Sequence, residues 1–356
     1  MENVFNSKFF KIAFLLIAIT GWSALKAQNT LQYKIYKPAR DSIWFPVTHS
    51  INGTFDVIQN PYWFNQNNYD NKVKLLWKRV RSPNHNIKKD GGYKKFIEDE
   101  FFSSRVFPNI GLHFIGGSYD TLWLTEYFDF HGYSYPKFWA ILFSYIGHFG
   151  NEALETSNEN ISSHDHIADL YIFDLAAALF STYPAGMDYL VKDLGMKGWH
   201  FNPIYDLDGD NFFNAGLNYI LRPKVTYLFD DQVKPFIYLG MQTLAGISYD
   251  WRIASTLSFA MGLSLTDPLK QKGRFVTAIF HESQNDLDAS LFINGSEDFR
   301  WRLNLYDNIL NKIPLLPASW SLGIMLGQAK GPSYAFGINL NLPFGLGGIK
   351  NSPPKY

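Results

Sequence analysis

Residues 251–265 read WRIASTLSFAMGLSL, and their side chains alternate in character at every second position. The odd-numbered positions are mostly large and apolar, whereas the even-numbered positions are mostly small or polar. Because successive side chains of a β-strand point to opposite faces, this pattern predicts a strand with one apolar face. The same alternation recurs in residues 320–326 and 334–344, and weaker versions occur in residues 213–221, 235–247, 275–281, 287–293 and 299–305.

These segments predict an antiparallel transmembrane β-barrel of about eight strands or slightly more, preceded by a helical segment of about three to four helices. Residues 45–58 alternate in part and are a candidate for one further strand. The aromatic residues Trp251, Trp320 and Phe344 at segment ends fit the interfacial girdles of such barrels. A soluble β-sandwich also alternates, but its outward face should carry more Lys and Glu. The small inward side chains leave room for a helix or an open lumen.

Composition limits the classes of function. The 356-residue chain has 32 Lys+Arg, 32 Asp+Glu and no cysteine. Nucleic-acid binding would need a basic surface, which this balance does not indicate. The lack of cysteine excludes disulfides, thiolate metal sites and cysteine catalysis. Basic residues are concentrated between Lys72 and Lys95, where either a solvated face or contact with anionic lipid headgroups explains them.

The N-terminus predicts export. Lys8 and Lys11 accompany an apolar run, and Leu25-Lys26-Ala27 offers a cleavage site, so residues 1–27 are predicted to be a cleaved signal peptide. Beyond them no apolar run reaches the ~18 residues of a spanning helix. We therefore expect a protein of the bacterial outer membrane, with its lipids and an unidentified envelope protein as partners. The predicted organisation is an N-terminal segment at 28–112, a helical insert at 113–200 and the barrel at 201–356.

The helical insert carries many ionisable side chains among apolar ones. In its second predicted helix, which begins near Pro136, the residues His148, Glu152 and Glu155 are spaced i, i+4 and i+7 and therefore share one face. A polar loop then leads into a third helix. Two antiparallel helices would bring that face towards a second polar group, formed by Asp165, His166 and Asp169.

Several explanations of these residues remain open. Histidines and carboxylates that converge between helices hold metals in bundle proteins, which makes His148, Glu152, His166 and Asp169 candidate ligands of a divalent metal. Neighbouring buried carboxyls also share protons, which makes Glu152, Glu155 and Asp169 candidate catalytic residues. A hydrogen-bonded polar seam between helices, or exposure to water, needs no ligand at all. No other cofactor is predicted.

Position around the helix separates one further acid from this group. On a regular helix Asp174 lies about 140° from Asp169, so the two are not expected to share a centre.

Two motifs lie in the predicted barrel. Asp206, Asp208 and Asp210 resemble part of a calcium loop, but no glutamate completes the spacing, so a plain turn is predicted. His281 and Ser283, with Glu297 further along, resemble the His-x-Ser pair and later glutamate of the lipid A deacylase barrels. That resemblance implies a histidine base and a serine nucleophile, although the surrounding residues also read as a turn between strands.

A longer resemblance covers most of the chain after the signal segment. It is carried by Pro108-Asn109, Leu112-His113, Gly116-Gly117, Glu126-Tyr127, Asn151-Glu152, Glu155, Ile167-Ala168-Asp169-Leu170 and Leu179-Phe180. In these residues the sequence is similar to an uncharacterised family of Bacteroidota outer-membrane proteins, and this resemblance implies an outer-membrane location and no assigned activity. We therefore expect an envelope protein with a structural, channel-like or partner-binding role; the alternative is a membrane hydrolase or transferase that acts on lipid or glycan.

Overall fold

A computed structural model describes most of the chain after residue 32. The described residues are 33–38, 41, 43–59, 64–103, 105–156, 162–224, 232–267, 272–294, 299–310, 322–329, 333–340 and 342–351. The predicted signal peptide, Glu297 and Trp320 lie outside these residues.

Helices occupy most of the chain up to residue 193, including three short segments of π-helix. The α-helices are α1 Phe45–Thr54, α2 Tyr69–Val80, α3 Pro83–Lys89, α4 Gly92–Phe101, α5 Val106–Pro108, α6 Gly117–Phe130, α7 Pro136–Glu155, α8 Ser163–Ala168, α9 Asp174–Phe180, α10 Pro184–Asp188 and α11 Asp307–Leu310. A 3₁₀-helix covers Asp56–Gln59, and the π-helices are Asn109–Gly116, Asp169–Phe173 and Tyr189–Asp193.

The strand expected in residues 45–58 is a helix instead. Pro46 stands in the first turn of α1, where the missing N–H costs no helical hydrogen bond. The side chain of Asn52 is fully buried, and it donates to the carbonyl oxygen of Phe201 at 2.7 Å while accepting from the N–H of Gly216 at 2.8 Å. These tertiary hydrogen bonds hold α1 against the strand region and override the partial alternation.

All strands of the described residues belong to one mixed sheet. Its thirteen strands follow the order β1-β4-β5-β6-β7-β8-β9-β10-β11-β12-β13-β2-β3. The pairings along the sheet are antiparallel except between β13 and β2, which run parallel. The strands are β1 Lys197–Gly198, β2 Ile204–Asp206, β3 Asn211–Phe213, β4 Tyr219–Leu221, β5 Val233–Leu239, β6 Gln242–Arg252, β7 Ser255–Asp267, β8 Lys272–Ser283, β9 Asp286–Ile293, β10 Phe299–Leu305, β11 Leu322–Ala329, β12 Ser333–Leu340 and β13 Gly345–Asn351.

The predicted fold class, a closed antiparallel barrel of about eight strands, is wrong. The sheet of the described residues has thirteen strands, is mixed, and ends at β1 and β3 without closing. Four strands, β1 to β4, have only two or three residues and are too short to leave an alternation that can be read in the sequence. The parallel pairing of β2 with β13 joins residues far apart in the chain, and side-chain alternation carries no information about such partners.

The two faces of the sheet differ as their alternation indicates, and the large apolar face is the exposed one. In β12 the exposed side chains are Tyr334, Phe336, Ile338 and Leu340, whereas Ser333, Ala335 and Asn339 are buried. In β7 the exposed side chains are Leu257, Phe259, Met261 and Leu263, whereas Ser258 and Ala260 are buried. The two strands contain one charged residue between them, Asp267 at the end of β7.

The chain divides into two compact units. The helical unit comprises residues 1–36 and 67–188, and the sheet unit comprises residues 37–66 and 189–356. The core of the helical unit contains Leu76 and Ile167, both fully buried. The core of the sheet unit contains the aromatic residues Trp199, Phe236 and Phe280. Among the described residues, no helix is long and apolar enough to cross a lipid bilayer.

A buried glutamate in α6 fixes the first described residues of the helical unit. Glu126 is fully buried, and its two carboxylate oxygens accept from the backbone N–H of Tyr33 at 3.1 Å and of Tyr36 at 2.9 Å. Burial raises the pKa of Glu126, and the backbone donors oppose that rise. The carboxylate therefore serves as an acceptor for the backbone of residues 33–36, in which Lys34 has a left-handed φ of 54°.

Replacing this acceptor should release the segment. We expect Glu126→Gln to destabilise the helical unit by ~1–3 kcal/mol, because an amide offers one oxygen where two accept and leaves a buried N–H unpaired. Faster hydrogen exchange at the Tyr33 and Tyr36 amides is the direct measurement. The control is Glu98→Gln, whose side chain is 59% exposed and which should change stability by less than ~0.5 kcal/mol.

Core packing of the helical unit gives a second test. Leu76 is 0% exposed in α2, and Leu179 is 39% exposed in α9. We expect Leu76→Ala to cost ~2–5 kcal/mol, because the cavity adds to the lost burial, and Leu179→Ala to cost well under half as much. The measurement is the thermal midpoint of each variant, monitored by the circular dichroism signal of the helices. Equal shifts of this midpoint in the two variants would contradict the packing described here.

Candidate functional site

A cluster of histidine and carboxylate side chains lies inside the helical unit, and we call it the His113 cluster. It takes one or two residues from each of the first π-helix, α7, the second π-helix and α9. Both π-helices continue directly into α6 and α9, so each π segment is a local widening within a longer helix. Such widenings are frequent at functional sites. The members are His113, His148, Glu152, Asp169 and Asp174.

The imidazole of His113 lies at the centre of the cluster and is approached from both of its nitrogens. Its Nδ1 atom is 3.0 Å from Asp174 Oδ1. Its Nε2 atom is 3.9 Å from Glu152 Oε1 and 3.8 Å from Asp169 Oδ2. An ionised Asp174 only accepts hydrogen bonds, so His113 Nδ1 donates to it, and His113 Nε2 faces Glu152 and Asp169.

Asp174 binds two histidines with the same oxygen. His148 Nδ1 is 2.7 Å from Asp174 Oδ1, and the rings of His113 and His148 meet edge to face at 5.1 Å. Burial by itself raises the pKa of Asp174, but the two histidines lower that pKa to about 2. Asp174 is therefore a permanent anion that fixes the orientation of both rings.

Glu152 is held in place by a second chain of contacts. Its Oε2 atom is 2.5 Å from His166 Nδ1, and His166 Nε2 is 2.8 Å from an Arg79 guanidinium nitrogen. A guanidinium can only donate, so His166 Nε2 accepts and His166 Nδ1 carries the proton donated to Glu152. This chain occupies one oxygen of Glu152 and leaves Oε1 directed at His113.

Three buried carboxylate oxygens of the cluster have no hydrogen-bond partner among the described residues. They are Glu152 Oε1, Asp169 Oδ1 and Asp174 Oδ2. Glu152, Asp169 and Asp174 are 0%, 3% and 4% exposed. Leaving a buried acceptor of this kind unpaired costs ~1–3 kcal/mol, and more if it is charged. Of these three atoms, Glu152 Oε1 is the one that faces the imidazole of His113, at 3.9 Å from its Nε2 atom.

Burial and neighbouring charges also shift the pKa values of the residues in the cluster. Burial raises the pKa of Asp169 well above its usual value, and the neighbouring charges of Glu152, Asp165 and Asp174 raise it further. Glu155, one turn beyond Glu152, has a raised pKa for the same reasons. Burial lowers the pKa of His113, but Asp174 and Glu152 outweigh that effect and raise it to about 9. A protonated His113 therefore partly balances the carboxylates.

The candidate residues named from the sequence take different places here. Glu152 and Asp169 meet at His113, whereas His148 and His166 each contact a carboxylate of the cluster. Glu155 is partly exposed on the next turn of α7.

Two members of the cluster, His113 and Asp174, were not among these candidates. The backbone N–H of Asp174 bonds to the carbonyl oxygen of Asp169, an i→i+5 bond that brings Asp174 nearer the face of Asp169 than a regular helix would. The π segments are the physical reason that helical-wheel geometry placed Asp174 elsewhere.

The other two motifs form local contacts in the sheet unit. His281 Nδ1 is 2.8 Å from Asp288 Oδ2, and the hydroxyl of Ser283 donates to Asp288 Oδ1 at 2.9 Å. Asp288 thus lies between the histidine and the serine, whereas nucleophile activation needs the base beside the hydroxyl. Residues 207–210 form the expected turn between β2 and β3, with Asp208 paired to Lys350.

Comparisons of the chain with protein-family models, with curated proteins and with solved structures found no match.

The repulsion within the cluster yields a prediction for the metal-free protein. A carboxyl with a raised pKa in the folded state keeps a proton that the unfolded chain releases, so its effect on stability becomes more unfavourable as pH rises. Removing the charge of Asp169 should therefore stabilise the protein at and above neutral pH and change little near pH 3. We expect Asp169→Asn to add ~0.5–2 kcal/mol in the presence of a chelator.

Urea denaturation at several pH values measures this effect. Asp70→Asn is the control, because the side chain of Asp70 is 71% exposed. A metal-free Asp169→Asn protein that is less stable than the wild type at neutral pH would show that the carboxylate makes favourable structural contacts instead.

Proposed function

We propose that the helical unit binds a divalent cation through His113 Nε2, Glu152 Oε1 and Asp169 Oδ2. The observation that carries this proposal is the approach of two buried carboxylates to His113 Nε2, at 3.9 and 3.8 Å, with Glu152 Oε1 unpaired among the described residues. One nitrogen or oxygen atom from each of His113, Glu152 and Asp169 lies within 4.8 Å of the other two. Imidazole and carboxylate ligands suit Zn²⁺ and other first-row divalent ions, and a cation would balance charges that now oppose one another.

The surrounding residues support this assignment. Histidines that bind metals usually donate their other N–H to a carboxylate, which fixes the ring and raises its basicity. Asp174 has this relation to His113, and His166 has a corresponding relation to Glu152, whose free oxygen it orients. The cluster therefore contains both the ligand atoms and the groups that position them.

Three protein ligands leave at least one coordination position for water or substrate, as in catalytic rather than structural zinc sites. A bound cation lowers the pKa of its water and supplies a hydroxide at neutral pH. Glu155, on the next turn of α7, is a further candidate carboxyl for such chemistry. The centre is therefore suited to hydrolysis, with a lipid or glycan ester as the substrate class that an envelope location would provide.

Metal binding can be measured directly. We expect the wild type to retain or bind Zn²⁺ in a one-to-one ratio, by elemental analysis and titration calorimetry. Asp174→Asn should weaken Zn²⁺ binding by about 10–100-fold, because Asp174 positions His113 and is not itself a proposed ligand. Glu152→Gln and Asp169→Asn remove proposed ligands and should weaken binding more than that.

The matched control is Glu98→Gln, which changes an exposed glutamate of the same unit and should bind like the wild type. A folded wild type that shows no binding of Zn²⁺ or Mn²⁺ would refute the proposal and leave a polar seam between helices.

A second proposal concerns location and rests on a separate observation. The exposed face of β7 and β12 consists of large apolar side chains across most of each strand, and β6 continues it with Ile247, Tyr249 and Trp251. Soluble monomers rarely expose contiguous apolar patches of more than a few hundred Å². We propose that this face contacts the lipids of the bacterial outer membrane, with aromatic side chains near the ends of the strands.

A charge placed on this face should reduce membrane association. Leu263 in β7 is 59% exposed, and Leu207 in the turn after β2 is 65% exposed. We expect Leu263→Lys to weaken partitioning into vesicles by up to ~2–4 kcal/mol and Leu207→Lys to leave it nearly unchanged. Flotation with neutral vesicles tests whether the face contacts lipid, and fractionation of cell envelopes tests whether the protein is in the outer membrane. Full solubility of the wild type without detergent would refute both.

A further inference from the structure

The charge of the chain is balanced overall but not locally. The whole sequence has a formal net charge of +0, yet residues 72–95 contain nine Lys or Arg and a single acid, Asp90. These residues form α2, α3 and the start of α4, all within the helical unit. The excess of positive charge is therefore concentrated on one short part of the fold.

Helix geometry arranges part of this charge on the outer side of α2. Lys74, Trp77, Lys78 and Arg81 follow the spacing i, i+3, i+4 and i+7, which places them on one face. All four are exposed, whereas Leu76 and Val80 are buried against the rest of the unit. Arg79 is directed inward to His166 and so does not belong to this surface.

The short helix α3 adds two more cations beside this face. The amide of Asn86 donates to the backbone carbonyls of Lys78, at 3.2 Å, and of Arg79, which ties α3 to the end of α2. Ile87 is fully buried, whereas its neighbours Lys88 and Lys89 are exposed. We call the exposed surface of Trp77, Lys78, Arg81, Lys88 and Lys89 the cationic face.

Ion pairing separates the cationic face from the other lysines nearby. Lys74 pairs with Asp70, Lys94 with Glu98 and Lys95 with Asp99. Lys78, Arg81, Lys88 and Lys89 form no ion pair with a described carboxylate. Their charges are consequently available to a partner, while those of Lys94 and Lys95 are largely balanced within α4.

Trp77 indicates which kind of partner fits. Its side chain is 57% exposed in the middle of the cationic face. Tryptophan is enriched at the headgroup level of membranes, where its ring meets the apolar boundary and its N–H meets water, and lysine and arginine nearby are attracted to anionic headgroups. We propose that the cationic face binds the phosphate-bearing headgroups of an anionic lipid bilayer.

The proposal does not depend on the metal centre or on the apolar face of the sheet. A bilayer is favoured over nucleic acid because the four free cations flank an exposed indole on a short surface, whereas the chain as a whole carries no excess positive charge. Binding through exposed charges should also weaken with added salt. The dissolved ions screen the attraction between exposed charges, with a screening length of about 10 Å at 0.1 M.

The chain contains no cysteine, so a single reporter can be placed cleanly. Ser82 is exposed between α2 and α3, and Ser82→Cys can carry an environment-sensitive fluorophore on the full-length protein. The labelled protein is mixed with vesicles of phosphatidylcholine alone and with vesicles that also contain phosphatidylglycerol. Any contribution of the sheet to lipid binding is common to both vesicles, so the difference between them isolates the charge.

We expect the reporter to shift to the blue with anionic vesicles only, with at least a tenfold tighter apparent affinity than for neutral vesicles, and we expect added salt to remove the difference. In the double variant Lys88→Gln/Lys89→Gln, the ratio of the affinities for anionic and neutral vesicles should fall at least threefold. The matched variant Lys94→Gln/Lys95→Gln has the same change of net charge in ion-paired lysines and should retain it. Trp77→Ala should weaken binding without changing its salt dependence.

Three results would overturn the proposal. They are equal binding to neutral and anionic vesicles, equal losses in the two double variants, and binding of a DNA or RNA oligonucleotide in place of anionic vesicles. All substituted side chains are exposed, and the salt dependence of the wild type provides a reading that does not rely on any variant.

Discussion

The contact between Asp174 and His113 is the constraint on which the proposed metal centre depends. A carboxylate buried among helices is costly unless something positive lies beside it. Asp174 meets that condition with two histidines, and in doing so it decides which nitrogen of His113 carries a proton. The opposite nitrogen then faces Glu152 Oε1 and Asp169 Oδ2, and the first of these oxygens has no hydrogen-bond partner among the described residues.

Two buried polar networks, one in each unit, differ in how their carboxylates are paired. In the sheet unit, Glu282 is buried but pairs with Arg222 and with Lys197 at 2.9 Å, and Arg222 also donates to the hydroxyls of Ser248 and Ser258. That network is complete without a ligand. In the His113 cluster, by contrast, three buried carboxylate oxygens have no hydrogen-bond partner among the described residues, and this difference is the basis of the proposed cation site.

Elements with strong local signals were predictable from sequence. The helix beginning at Pro136 is where the periodicity of side chains placed it, and the alternation around Phe259 and Phe336 does lie in strands. The single strand predicted over residues 251–265 is instead divided between the end of β6, a turn at residues 253–254 and β7. Residues 45–58 were mispredicted because tertiary hydrogen bonds to Asn52 outweighed a weak alternation. The closed barrel was wrong because strand partners, especially the parallel pair of β13 and β2, are not written into the alternation of either strand.

By itself, the sequence determined the periodicities of apolar side chains and the concentration of positive charge in residues 72–95. It also determined that His148, Glu152 and Glu155 share one helix face. Each of these features depends only on residues that are near one another along the chain. Only the tertiary structure decided that His113 and Asp174 complete the cluster, and that His148 and His166 orient carboxylates. The reason is that two π-helical segments rotate the faces of their helices, and the contacts that fix those rotations come from residues distant in the sequence.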